Sequence, residues 1–523
     1  MDRRGSTSLL LLSLFAVVAP YKFLLYDIKF QRSHVQFAQA VGDVLEAAGH
    51  EVISLANLLD IRHANIGRAR TKYVVEQTEE TKALSQLMGF SSQSASVWES
   101  RTFSIDINAV MDGLFSQCKS MLSNSTLIAA LRAETFDVAY TNYMDRCAFA
   151  LFHVVGLDRV AMADCHASMG EAFEITGAPA IHSYVPSRLT GNSEKMTFFE
   201  RLVNFAYIEM YNFHVKWLHQ RHVERITQWD PERLSGFEKR IANTSLFFMN
   251  RNSLVDFPQP MTHKIIEIGG ATVQRSYSSL EKEWSDLLSW RPRNVLISFG
   301  TIALSVDMPE SYKDAIRQLA SSHPDVTIIW KYENPNDGVA RNISNLVTRP
   351  WIPQKELIVD PRVSLFITHA GVASLNEILY SGVPVIAIPT NSDQYRNARV
   401  LERNGVGIVL SKTDLGDFDT LNGAVNSILE DKKYRENSKR VAETLADEPF
   451  SARERLIRNM EFLARHGPLH RLNHEGVKLN FFQYYLIDVF ASIGSVLILT
   501  VVLIVFILRA LVKCAFTPKA KKE

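Results

Sequence analysis

Two parallel α/β domains and one C-terminal membrane span are what this 523-residue sequence predicts. Three observations carry that expectation. Apolar strand-like runs alternate with helical periodicity in each half of the chain, polar turn-rich sequence separates the halves, and a charge-free stretch of about twenty residues lies near the C-terminus.

Length and composition set the frame. At 46% hydrophobic and 22% charged residues the chain has ample material for a core, and its length calls for two or three domains. The formal net charge is +1 and the body of the chain has no long basic runs, so a nucleic-acid partner is not expected.

The first element is residues 1–19, where Arg3 and Arg4 precede an apolar run from Leu9 to Val18 and then Ala19, the layout of a cleaved secretory signal. Residues 20–257 read as the N-terminal domain. YKFLLYDIKF is a buried strand, SHVQFAQAVGDVLEAAGH a helix with apolar positions at Val35, Ala38, Val41, Val44, Leu45 and Ala48, and HEVISLA the next strand. TFDVAYTNY followed by CAFALFHVVG repeats the alternation, and GAPAIHSYVP reads as a further strand with its turn. From Thr197 to Ile226 aromatic residues recur at mixed helical spacing, which reads as long helices packed on this domain rather than a membrane-surface helix. His219 and His222 stand three apart there, without a carboxylate or third histidine to complete a metal site.

Residues 258–288, with MTHKIIEIGG and SLEKEWSDL, read as a linker. Alternation restarts over 289–446: NVLISFG, a helix around SYKDAIRQLA, VTIIWKYE, VSLFITHAG, a helix through NEILYSG, PVIAIP, a helix at YRNARVLERNG and GIVLS. Residues 447–488 hold a further amphipathic helix and the approach to the span. Val489 to Leu508 is the span itself, and Arg509, Lys513, Lys519, Lys521 and Lys522 in the tail of 509–523 place that tail in the cytosol and the body in a lumen. The final KAKKE resembles a dilysine signal for retrieval to the endoplasmic reticulum. Sequons at Asn124, Asn243 and Asn342 are compatible with a lumenal body, and of the four cysteines only Cys118, Cys147 and Cys165 would lie there, so one disulfide can form. No Cys-x-x-Cys or Cys/His motif points to a metal.

Residues 349 to 398, RPWIPQKELIVDPRVSLFITHAGVASLNEILYSGVPVIAIPTNSDQYRNA, resemble the signature of the UDP-glycosyltransferases, which include the UDP-glucuronosyltransferases. The order W-x-P-Q, H-x-G, a glutamate eight residues on, G-x-P and D-Q is specific, and VLISFGTIALSVDMPESYK, SHVQF, AAGHEV and the C-terminal span extend the likeness over nearly the whole chain. The resemblance implies a GT-B fold, two Rossmann-like domains facing a cleft, with acceptor on the first and nucleotide sugar on the second. It implies donor contacts from Thr301, Trp351, Gln354, His369, Gly371, Ser374, Glu377, Asp393 and Gln394. The residue types suit those roles: Trp351 offers uracil an aromatic face, a strand-to-helix turn at Gly371 offers a phosphate the helix N-terminus, and Glu377 can accept from ribose hydroxyls.

In the same family a histidine in the first strand-to-helix turn is the general base, and His34 matches it. Its usual carboxylate partner falls on Asn142, a neutral amide that makes His34 a weaker base; Asp145, three residues on, is the alternative. The phosphate loop departs too, with Ala370 where a second glycine is common and Ala373 where an asparagine is common.

The expected function is transfer of a hexosyl group, glucuronosyl or glucosyl, from a UDP-sugar to a hydroxyl of a small lipophilic acceptor, with inversion. The alternative is a catalytically weakened member that binds UDP-sugar or a partner subunit. No cofactor and no metal are expected beyond the UDP-sugar co-substrate. Homo- or hetero-oligomers are left open.

Overall fold

The computed structural model describes residues 20–87, 94, 97–99, 107–143, 145–166, 172–273 and 280–516. The proposed signal at 1–19 and the KAKKE tail lie outside them. The chain divides into two units, one ending at Leu472 and one beginning at Asn473.

The first unit contains two wholly parallel sheets. Strands β1 (Lys22–Lys29), β2 (Glu51–Leu58), β3 (Thr71–Val75), β4 (Val138–Asn142), β5 (Val160–Asp164), β6 (Leu246–Met249) and β7 (Ile265–Glu267) form a seven-stranded sheet in the order 3-2-1-4-5-6-7. Strands β8 (Arg293–Ser298), β9 (Val326–Lys331), β10 (Leu346–Arg349), β11 (Val363–Thr368), β12 (Val385–Ala387) and β13 (Gly407–Val409) form a six-stranded sheet in the order 10-9-8-11-12-13. These are the two Rossmann-like sheets of a GT-B fold.

Both faces of each sheet are covered, which is why the strands read as nearly continuous apolar runs rather than alternating ones. In β1, Leu24 and Tyr26 pack with Met121, Phe149 and Phe152 on one face. Phe23 and Leu25 pack with Phe37 and Val41 on the other, and the helix Ala452–His466 adds Leu456 and Met460 to that face. A disulfide joins Cys118 to Cys147 and so ties the helix Ile107–Ser123 to Cys147–Val155 beneath the sheet. Across a loop of 29 residues such a link stabilises by about 3–4 kcal/mol in the chain-entropy picture.

Three expectations are corrected. GAPAIHSYVP is not a strand: it runs as turns, because buried Asn204 supplies what a ladder would, donating to the carbonyls of His182 (2.8 Å) and Val185 (2.9 Å) and accepting from the Ser187 amide (2.7 Å). The stretch read as a linker contributes β7, the edge strand of the first sheet, and a helix at Lys282–Leu288. The aromatic segment is one 32-residue helix, Phe198–Trp229, rather than several, and it packs on the domain only in part: Ile226 is buried and Val215, Val223 and Trp229 lie against the first core, whereas Phe199, Met210 and Phe213 are each more than 70% exposed. Its apolar positions surround the axis, so no single contact face can cover them.

In the second unit, Ile487–Phe516 is a helix of 30 residues. Among the described residues it is the one helix long and apolar enough to cross a membrane.

Candidate functional site

Strand order reverses between β1 and β4 in the first sheet and between β8 and β11 in the second. Ligands of such sheets bind at the carboxyl ends of the strands flanking that point. Here both switch points open into one cavity of about 710 Å³. His34 enters it from the helix after β1 (Arg32–Ala47), and Gly300, Thr301, His369 and Gly371 enter from the turns after β8 and β11.

The second-domain wall is built around a helix N-terminus. Gly371 precedes the helix Val372–Ser381 without a side-chain cap, so the amides of its first turn lack intrahelical partners. That end carries partial positive charge suited to a phosphate. His369 lies half-buried between two glycines: a Cβ on Gly300 would stand 2.7 Å from its ring, and one on Gly371 2.6 Å. No side chain fits there. Burial lowers the basicity of His369 to about 4, with Asp393 opposing, so the ring is neutral at physiological pH.

Ala370 has φ +59, the left-handed region that a Cβ disfavours. Its carbonyl is held by the Asn397 amide at 3.0 Å. The loop thus keeps a glycine-type conformation with an alanine in it.

Gln354 donates to Ser374 Oγ (3.1 Å) and to Glu377 Oε2 (2.7 Å), forming one polar cluster on the cavity wall. Burial raises the Glu377 carboxyl, with Lys355 and Gln354 pulling the other way. Asp393 lines the cavity and accepts from Asn397 at 2.8 Å. Gln394 is largely committed to its own loop: its Oε1 accepts from the Thr390 amide and hydroxyl (both 2.8 Å) and the Asn391 amide (3.1 Å), and its Nε2 donates to Asn391 (2.9 Å). Its first task is therefore to shape the loop, and one amide proton is left for anything else. Trp351 is 55% exposed, and the Arg32 guanidinium lies 4.9 Å from its ring centroid.

On the first-domain wall the structure separates the two candidate partners of His34. Asn142 Nδ2 is 3.3 Å from His34 Nδ1. Asp145 is engaged elsewhere: its carboxylate accepts from Tyr26 Oη (2.6 Å) and the Cys147 amide (2.9 Å). Asp145 is therefore corrected from a possible catalytic group to a buried structural one. Burial, reinforced by His166, lowers His34 to about 3, against the opposing pull of Asp164.

Sequence reasoning missed four residues here. Asp164, at the end of β5, and His166 and Arg188 line the cavity, and Cys165 Sγ is 3.3 Å from His34 Nδ1. One ligand-type atom each from His34, Cys165 and His166 falls within a 4.8 Å cluster, although no sequence motif joins them. The available signal was VAMADCH, an apolar strand ending in Asp-Cys-His at its carboxyl end. Apolar side chains, among them Val110, Met111, Leu114, Val215 and Leu218, line the rest of this side.

Comparison with known proteins agrees with this layout. The family model described as UDP-glucoronosyl and UDP-glucosyl transferase matches residues 23–522. A Caenorhabditis elegans protein named putative UDP-glucuronosyltransferase ugt-48 is 28% identical over 526 residues, covering 98% of each chain. Human UDP-glucuronosyltransferase 1A1 is 26% identical over 473 residues, covering 88% of this chain and 86% of that one. Among solved structures, the kitacinnamycin glycosyltransferase superposes with a TM-score of 0.57 at 16% identity, covering 85% of this chain and 98% of its own. A UDP-glucosyltransferase from Polygonum tinctorium gives 0.56 at 14% identity, covering 85% and 98%. At those identities the structural likeness speaks for the fold.

Proposed function

Because the chain belongs to the UDP-glucuronosyl and UDP-glucosyl transferase family, we propose that it transfers a hexosyl group from a UDP-sugar to a hydroxyl of a small lipophilic acceptor. One observation carries the reading: a single cavity joins an uncapped helix N-terminus and the Gln354, Ser374 and Glu377 cluster on one wall to imidazoles and apolar side chains on the other.

In this reading the diphosphate takes the first-turn amides at Gly371 beside His369, and ribose hydroxyls donate to Glu377. Asp393 holds the sugar, and the acceptor rests on the apolar wall. The acceptor proton passes to an imidazole there, for which the family position offers His34. Attack opposite the departing UDP inverts the anomeric configuration. No metal or cofactor takes part. The apolar helix Ile487–Phe516 anchors the protein, with the body lumenal and the basic tail cytosolic, and the C-terminal lysines return it to the endoplasmic reticulum.

UDP release by the full chain in membranes, measured with UDP-glucuronic acid and UDP-glucose against phenolic and steroid acceptors, tests this. Acceptor-dependent release with either sugar is the expected result. Tight UDP binding without release under any pair would favour a second reading, a binding or partner subunit with weakened chemistry. The amide at Asn142 beside a poorly basic His34 is the observation on that side.

A further inference from the structure

Two imidazoles face the acceptor side of the cavity, and their hydrogen bonds make them unlike. Asp164 Oδ1 accepts from both the backbone amide and Nδ1 of His166, each at 3.0 Å. A ring that gives its Nδ1 proton to a carboxylate presents Nε2 as a lone pair. His34 is held the other way. The Asn142 amide nitrogen and the Cys165 thiol both approach its Nδ1 at 3.3 Å. The amide nitrogen can only donate and the thiol is able to donate as well, so Nδ1 accepts and the ring proton sits on Nε2. A neutral imidazole in that tautomer offers an N–H where a base needs a lone pair, the defect an Asp-to-Asn change creates in a catalytic triad.

We propose that His166, oriented by Asp164, takes the acceptor's proton in this protein, while His34 donates a hydrogen bond that positions the acceptor oxygen. The two rings stand edge to face with centroids 5.0 Å apart and both line the cavity. The assignment rests on the transferase reading above. The acceptor O–H gives its proton to His166 Nε2, and the oxygen forms its bond to the anomeric carbon. The bond from that carbon to the diphosphate oxygen breaks, and its electron pair leaves with UDP. Asp164 offsets the charge of the imidazolium, which then releases its proton to solvent. Asp164 is a positioning residue, since it acts through the ring.

Among the described residues, the charged and titratable groups around His166 include Asp164, Cys165, His34 and Arg188, with Asp393 on the opposite wall. Burial resists charging of His166, and Cys165 and Asp164 outweigh it, lifting the ring well above the usual histidine range. Cys165 is itself pushed up by burial and stays a thiol, so Asp164 is the partner that counts. A base of this kind is increasingly freed as pH rises above 6.5, whereas a base at about 3, such as His34, leaves the rate flat from pH 5 to 9.

The test uses the full chain in membranes, in buffer with a chelator, and reads UDP release against pH alongside UDP affinity. In the wild type the rate should climb above pH 6.5. His166→Gln should cut kcat about 100-fold with UDP affinity intact, and Asp164→Asn should lower kcat and shift the limb to lower pH. Adding Asn142→Asp to His166→Gln should recover at least about tenfold, because a carboxylate at 142 turns His34 into the Nδ1–H tautomer. An active wild type with a flat profile and a His166→Gln rate within threefold of it would overturn the assignment alone. A wild type inactive with every pair would overturn the transferase reading and this assignment together.

Discussion

The Arg32 guanidinium stands 4.9 Å from the centroid of the Trp351 ring, so a residue from the first domain covers an aromatic face carried by the second. Trp351 opens the Trp-x-Pro-Gln stretch that leads into the donor wall, and Arg32 begins the helix that carries His34. The two walls of the cavity therefore meet at this stack.

If uracil stacks on that face, Arg32 competes with it. An exposed cation–π contact is worth about 0.5–1 kcal/mol, so Arg32→Ala should tighten UDP binding about two- to fivefold. Trp351→Ala should weaken it about tenfold. Calorimetric titration with UDP reads both, and near-native affinity in Trp351→Ala would remove the stacking role.

Ala370→Gly should stabilise the protein. The left-handed conformation costs an alanine about 1–2 kcal/mol, and glycine gives back about 0.5–1 kcal/mol through its freer unfolded chain. A net gain of about 0.5–1 kcal/mol is expected in denaturant melts. Destabilisation would mean that the Ala370 methyl, packed among Phe366, Leu375 and Ile378 in the second core, contributes more than the backbone loses.

Acid should destabilise the fold through its buried neutral histidines. His222 is held at about 3 by burial, aided by Arg146 and Arg225, while the unfolded chain titrates near 6.5. Between those values the unfolded state binds more protons, so the stability is whole above pH 6.5 and is lost as pH falls. The slope is about 1.4 kcal/mol per pH unit for each such group. His34 acts with the same sign and His166 with the opposite one. His222→Gln should shrink the loss in stability from pH 7 to pH 5 by about 2 kcal/mol, read from thermal or denaturant midpoints. An unchanged loss would show that the ring is already charged in the folded protein.

Much of the fold was legible along the chain. Strands buried on both faces need continuous apolar residues, and YKFLLYDIKF, TFDVAYTNY and VSLFITHAG show them without knowledge of what lies alongside. The donor loop was legible for a similar reason, since glycines and short side chains around His369 answer to local backbone geometry. Residues 177–186 and β7 were misread because their backbone partners come from elsewhere: Asn204 on a later helix in one case, and the edge of β6 in the other. Local pattern does not record who accepts a hydrogen bond.

The sequence by itself determined two doubly wound domains, an apolar terminal helix, and the residue types that line the second-domain wall of the cavity, because strand, helix and turn propensities are written in adjacent residues. Tertiary structure alone decided what His34 meets. His34, Asn142 and Asp164 lie on three different strand ends, more than 20 residues apart in sequence. The sheet order that sets β1 beside β4 brings the Asn142 amide to His34, whereas His166 meets Asp164 two residues away at the end of β5. His34 and Asn142, 108 residues apart, meet only because the chain folds.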